Sequence, residues 1–208
     1  MRLLLILALG LSAWGQNAPS EAKGLPARAS ADEYQSKAQA GSYTIGADFT
    51  EHSVPTPDAI YSTEDYVVVE AAIFGPPDAR LKLSPEDFSL RINDKKSALP
   101  SQSVELVAHS LKDPNWAPPN PDKEKSKTGI SSGSKDNGEP PLSVIHMPMD
   151  LQLAMQKRVK NVVMLGGDRA LPQAGLLFFE YRGKAKGIHS LELIYSGPAG
   201  KATVALQP

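Results

Sequence analysis

Apolar and polar residues alternate along much of this chain with the period of a β-strand. Phe88, Leu90 and Ile92 stand between Ser89, Arg91 and Asn93, the pattern of a strand with one buried face. Val67, Val69, Ala71 and Ile73 share one face of an apolar run over 66–74. Gly75-Pro76-Pro77 ends that run, since proline has no N–H for a ladder. Ile45 and Phe49 mark a first strand over 43–50, broken by Val54-Pro55-Thr56-Pro57. Val104, Leu106 and Ala108 predict another, and 142–147 one more. Near the end of the chain, a strand over 175–181 is followed by a turn at 183–187 and a strand over 188–195. The turn Gly197-Pro198-Ala199-Gly200 then leads to a last strand over 202–206. Turn signals at this spacing describe an antiparallel meander. One stretch has the helical period instead. Leu151, Met155, Val159 and Val162 fall on one face, opposite Gln156, Lys157, Arg158 and Lys160. Asp150 would cap this helix and Gly166-Gly167 would stop it near Leu165. About seven or eight strands and one short helix, not alternating, predict a mainly β chain: an antiparallel β-sandwich rather than a parallel α/β sheet.

Two stretches lie outside this pattern. Arg2, the apolar run 3–11 and the small residues of Ala13-Trp14-Gly15 have the order that signal peptidase reads, with a cut before Gln16. Residues 1–15 are expected to be a signal peptide. A spanning helix needs about 20 apolar residues, and polar sequence begins at Gln16, so no membrane span is expected after cleavage. Residues 16–42 are rich in Ala, Ser, Gln, Pro and Lys. Ser30 and Glu33 match a capping box, but Tyr34 has no apolar face to join. A disordered linker is expected, leaving 43–208 as the β-domain. Within it, 113–141 holds six prolines among Lys, Ser, Gly, Asp and Asn, a composition that cannot bury enough apolar area to offset chain entropy. A long, mobile, disordered loop is expected there. Long loops often carry function, which makes Trp116 a candidate ligand contact, beside the plainer role of packing at the core edge.

Charge and chemistry narrow the field. The formal net charge is −1 with no basic cluster or charged tail, so no nucleic-acid partner is expected. The chain has no cysteine, hence no disulfide, no thiol chemistry and no lipid anchor at the cut. No serine lies in a Gly-x-Ser-x-Gly elbow. His52, His109, His146 and His189 are scattered, without the paired spacing of a zinc site. Asp136-Asn137-Gly138-Glu139 lacks the alternation of a calcium loop, and no Lys-Ser/Thr follows Gly166-Gly167-Asp168 as a phosphate loop requires. Glu64 with Asp65, and Glu86 with Asp87, are the carboxylate pairs that glycoside hydrolysis would use. Both sit at turns, where acidic residues are common for backbone reasons. No catalytic residue, cofactor or metal ligand is assigned.

The stretch Leu83-Ser84-Pro85-Glu86-Asp87-Phe88-Ser89-Leu90-Arg91-Ile92-Asn93 resembles a pattern in exported bacterial immunoglobulin-like domains of unknown function. In those a hydrophobic strand precedes the motif, as 66–74 does here, and a hairpin closes the domain, as 176–181 with 188–195 would. The resemblance implies an immunoglobulin-like sandwich and a periplasmic or secreted location, and brings no catalytic residues. The expected function is a non-catalytic binding or interaction module of the cell envelope or extracellular space, meeting a protein or glycan partner through a sheet face or the 113–141 loop. Two alternatives are a carboxylate-dependent hydrolase of extracytoplasmic glycans and a structural envelope component that self-associates through a sheet edge.

Overall fold

A computed structural model describes residues 24–118 and 146–208. The described chain is mainly antiparallel β, with thirteen strands and two α-helices. Eight strands form one sheet. Its first part orders β1 (Ser36–Ala40), β2 (Tyr43–Phe49), β5 (Tyr66–Phe74) and β11 (Gln173–Glu180). It continues through β8 (Leu99–Gln102) to β7 (Phe88–Ile92), β12 (Leu191–Gly197) and β13 (Gly200–Leu206). Strand β8 joins the two parts by changing partner along its length: Leu99 and Pro100 face β7, while Ser101 and Gln102 face β11. The sheet curls until its edges meet. Gln35 Nε2 donates to the Gln207 carbonyl at 3.3 Å, and at the other end Gly41 lies against the Ala199 carbonyl. The two edge strands thus lie side by side and antiparallel, without a backbone ladder between them.

The curled sheet encloses the main core. Val67, Val69, Ala71 and Ile73 of β5 point inward, as their period-two spacing predicts, and meet Leu177 and Phe179 of β11. Phe88 and Tyr195 pack across β7 and β12 with ring centroids 5.0 Å apart and planes tilted by 50°. A ribbon of β6 (Arg80–Leu83) and β10 (Gly167–Ala170) adds Leu81 and Leu83 to this interior. Strands β5 and β11 are buried on both faces, so something must also cover them from outside. One cover is a layer formed by the short helix α1 (Val104–Val107), the helix α2 (Met149–Lys160) and the small sheet of β3 (Ser53–Pro55), β4 (Ile60–Thr63) and β9 (Leu111–Lys112). It brings Met155, Val159, Val107 and Tyr61 onto Val68, Leu176 and Phe178. The other cover is the chain from Gly24 to Tyr34, whose Tyr34 ring is buried on Ala72 and Ala174.

Several sequence expectations change here. Residues 24–42 are not a linker. Ser36–Ala40 pairs along its whole length with β2, but its inward residues are alanines, too small to register as an apolar face. Residues 104–108 are not a strand: the Ala108 N–H bonds the Val104 carbonyl at 2.9 Å and Leu106 is exposed. The strand in this region is Leu99–Gln102. The expected hairpin of 176–181 with 188–195 does not form, because β5 and β8 occupy both edges of β11 and β7 separates β8 from β12. Turn residues mark where the chain bends; a strand buried on both faces belongs in the middle of a sheet, and that decides its neighbours. The hairpin β12–β13 around Pro198-Ala199 does form. Helix α2 ends at Lys160, not near Leu165, because Val162 to Met164 run extended beside β11. The proposed signal peptide 1–15, linker residues 16–23, the loop from 119 to 141 and most of the expected strand 142–147 lie outside the described residues.

Candidate functional site

A cavity lies beside the extended Val162–Met164 segment. Leu176 N–H donates to the Val162 carbonyl at 2.9 Å, and Met164 N–H donates to the Leu176 carbonyl at 3.0 Å. On the same edge of β11, two residues on, Phe178 pairs with Gln102 of β8. After the bridge of Leu25 to Ala174, this edge therefore passes between two further partners: 162–164 runs parallel to β11 and β8 antiparallel. Between them opens the cavity, of about 240 Å³. Val163, Met164, Leu176, Leu177 and Phe178 give it an apolar floor. Pro85, Glu86, Ser101, Gln102, Ser103, Val104 and Glu105 form the rim.

Local backbone needs place the rim residues. Ser84 Oγ accepts the Glu86 N–H at 3.2 Å and starts a single turn over Pro85–Asp87. Ser101 Oγ donates to the Pro85 carbonyl at 2.6 Å and ties that turn to β8. The Ser103 carbonyl accepts the Leu106 N–H at 3.2 Å, which begins α1 and turns Glu105 to the rim. Among the described residues no Lys, Arg or His lines the cavity. The nearest cation to Glu105 in an ion pair is Lys160, at 3.9 Å with both side chains well exposed, a pair that contributes little.

The residues singled out from sequence do not gather at one place. Glu86 lines the cavity. Its neighbour Asp87 turns instead toward Gly197 and the Tyr195 hydroxyl. Burial raises the Asp87 pKa above the ordinary carboxylate value, against the hydrogen bond from Ser84, and burial likewise raises that of Tyr195. Glu64 pairs with Lys112 at 2.5 Å, and Asp65 with Arg182 at 3.5 Å. His52 lies between the carbonyls of Tyr66 and Gly183, at 2.7 and 2.9 Å. His109, His146 and His189 are exposed. Trp116 is half-buried in a turn, its N–H bonded to the Asp113 carbonyl at 3.1 Å, and it does not line the cavity. Among the described residues no three His, Asp or Glu side chains group as metal ligands. Sequence reading missed Ser101, Ser103 and Glu105. The polar run Ser101-Gln102-Ser103 was the available signal, but a strand assigned over 104–108 made Glu105 its solvent face.

Comparison with family models, with curated proteins and with solved structures gives no match. No helix among the described residues is long and apolar enough to cross a membrane.

A second polar cluster, on the outer face of β2 and β5, is fully committed to holding the chain together. The Arg28 guanidinium bonds the Asp48 carboxylate and the Glu33 carbonyl, and lies 3.5 Å from Glu70 and 4.2 Å from the centre of the Tyr34 ring. Asp48 Oδ1 also accepts the Gln35 N–H at 2.5 Å. Burial raises the Glu70 pKa, Arg28 opposes that rise and Asp48 adds to it. Burial works against the Arg28 charge, yet the bond to Asp48 and the field of Glu70 leave its pKa raised overall.

Proposed function

We propose that this chain is an exported, non-catalytic binding module whose ligand enters the cavity between β8 and residues 162–164. The observation that carries this reading is the cavity itself: an apolar floor under a polar rim, formed where two segments share one strand edge. Convergent polar groups over apolar lining are the common design of small-ligand sites. Of the four turn carboxylates, Glu86 lines the cavity while Glu64 and Asp65 stand in ion pairs elsewhere; Glu105 is the second carboxylate of the rim, and hydrolysis by the Glu86 and Glu105 pair is the competing reading. Export draws on the N-terminal charge and apolar pattern. The immunoglobulin-like scaffold draws on the 83–93 motif.

A small-fragment screen by NMR on the full chain tests the binding reading. Fragments are expected to share one site and to be excluded by Ser103→Trp, which fills the rim. Hits spread over the surface and unaffected by Ser103→Trp would overturn it.

A further inference from the structure

We infer that the ligand group taken by the β8–β11 cavity is a cation on an aliphatic stem, such as an alkylammonium or a Lys or Arg side chain. This rests on the proposal that the cavity is the binding site. Two of the rim's side-chain donors are committed to backbone carbonyls. Ser101 Oγ donates to Pro85, and Gln102 Nε2 donates to Pro100 at 3.3 Å. Beyond the Ser103 hydroxyl and one N–H of Gln102, what remains is acceptor capacity: the carboxylates of Glu86 and Glu105, the Gln102 amide oxygen and the lone pairs of Ser101. Among the described residues Ser103 Oγ makes no hydrogen bond, and it can donate as well as accept. Among the described residues no basic side chain lines the cavity to neutralise the two carboxylates, and the exposed Lys160 meets Glu105 only at the limit of ion-pair distance.

Shape agrees with charge. Val163, Leu176, Leu177 and Phe178 offer a stem apolar contact, as long cationic side chains use elsewhere on proteins. At about 240 Å³ the cavity holds a group of side-chain size, smaller than the roughly 300–1,000 Å³ of drug-sized sites. An anionic ligand would meet both carboxylates, and a neutral one would leave them unused.

The test titrates the full chain with hexylammonium, 1-hexanol and hexanoate, and with lysine blocked as its Nα-acetyl methylamide, followed by amide NMR shifts. Hexylammonium is expected to bind about tenfold more tightly than hexanol at low salt, with most of the preference lost at high salt. Glu86→Gln and Glu105→Gln should each lower the ratio of hexylammonium to hexanol affinity about threefold. Equal preference for the blocked lysine assigns the cation to a protein side chain, and preference confined to the free amine assigns it to a small molecule; either supports the inference. Hexanol or hexanoate binding as tightly as hexylammonium overturns the cationic class while leaving the cavity as the site. Failure of all four probes to bind removes both.

Discussion

The outer faces of β5 and β11 are covered in two different ways, and the difference shows in three rows of residues that cross the strands. In the first row Gly46, Ala72 and Ala174 lie side by side, all small. The chain itself can lie down there: Leu25 bridges Ala174, and Tyr34 sits so close to Gly46 that an added methyl would stand 2.7 Å from its ring. The middle row brings Asp48 beside Glu70, the pair that Arg28 clasps. In the third row Val68 faces Phe178, and bulk there requires a separate layer of helices. A flat, small-residue face accepts one strap with every polar group tied down. A bulky face needs several segments to cover it, and segments arriving from different directions leave a gap at their junction. The cavity lies in that gap.

The largest expected effect lies in the helical half. Phe178→Ala should cost about 3–5 kcal/mol, the range for removing a buried aromatic, and denaturant unfolding would read it; a loss below about 1 kcal/mol would mean that the outer layer packs little on β11. Next comes Gly175→Ala. Its new methyl would overlap the Met164 backbone rather than a movable side chain, so about 3 kcal/mol is expected, with release of 162–164. Retained protection of the Leu176 amide against hydrogen exchange in that variant would contradict the shared strand edge. In the strap half, Tyr34→Ala should cost about 2 kcal/mol, because the strap can detach while the sheet stays folded. Hydrogen exchange is expected to rise between 24 and 35 and not in β5; a rise throughout would show that strap and sheet unfold as one unit.

The smallest effect is a pH slope from the middle row. Folding raises the Glu70 pKa, so the folded chain keeps a proton that the unfolded chain has already released. Stability therefore falls as pH rises from the ordinary carboxylate value through the folded one, and recovers on acidification. Glu70→Gln should remove this component, with the residual slope of the same sign from Asp87 remaining. Thermal unfolding of both proteins across that interval checks it; parallel curves would mean that Glu70 does not contribute.

The parts of this structure legible in the sequence are those where burial and period coincide. Strand 88–92 alternates because one face lies in the core, strand 66–74 is a continuous apolar run because both faces are buried, and Gly197 to Gly200 turns where glycines flank Pro198-Ala199. The strap and β1 were hidden because alanine and glycine carry their contacts. The order of β11, β8 and β7 was hidden because local turn chemistry does not state which edge a strand will join. The cavity depends on that order. Glu86 could be noted as a turn carboxylate, but its meeting with Ser101 and Glu105 follows from β8 changing partner between Pro100 and Ser101.

The central claim is that the ligand enters between β8 and residues 162–164, and intermolecular NOEs from hexylammonium bound to the full chain test it most directly. Cross-peaks to the methyl groups of Val163, Met164 and Leu177 are the predicted result. Cross-peaks to Ala72, Ala174 and the Tyr34 ring instead, or to methyls scattered over the surface, would contradict it.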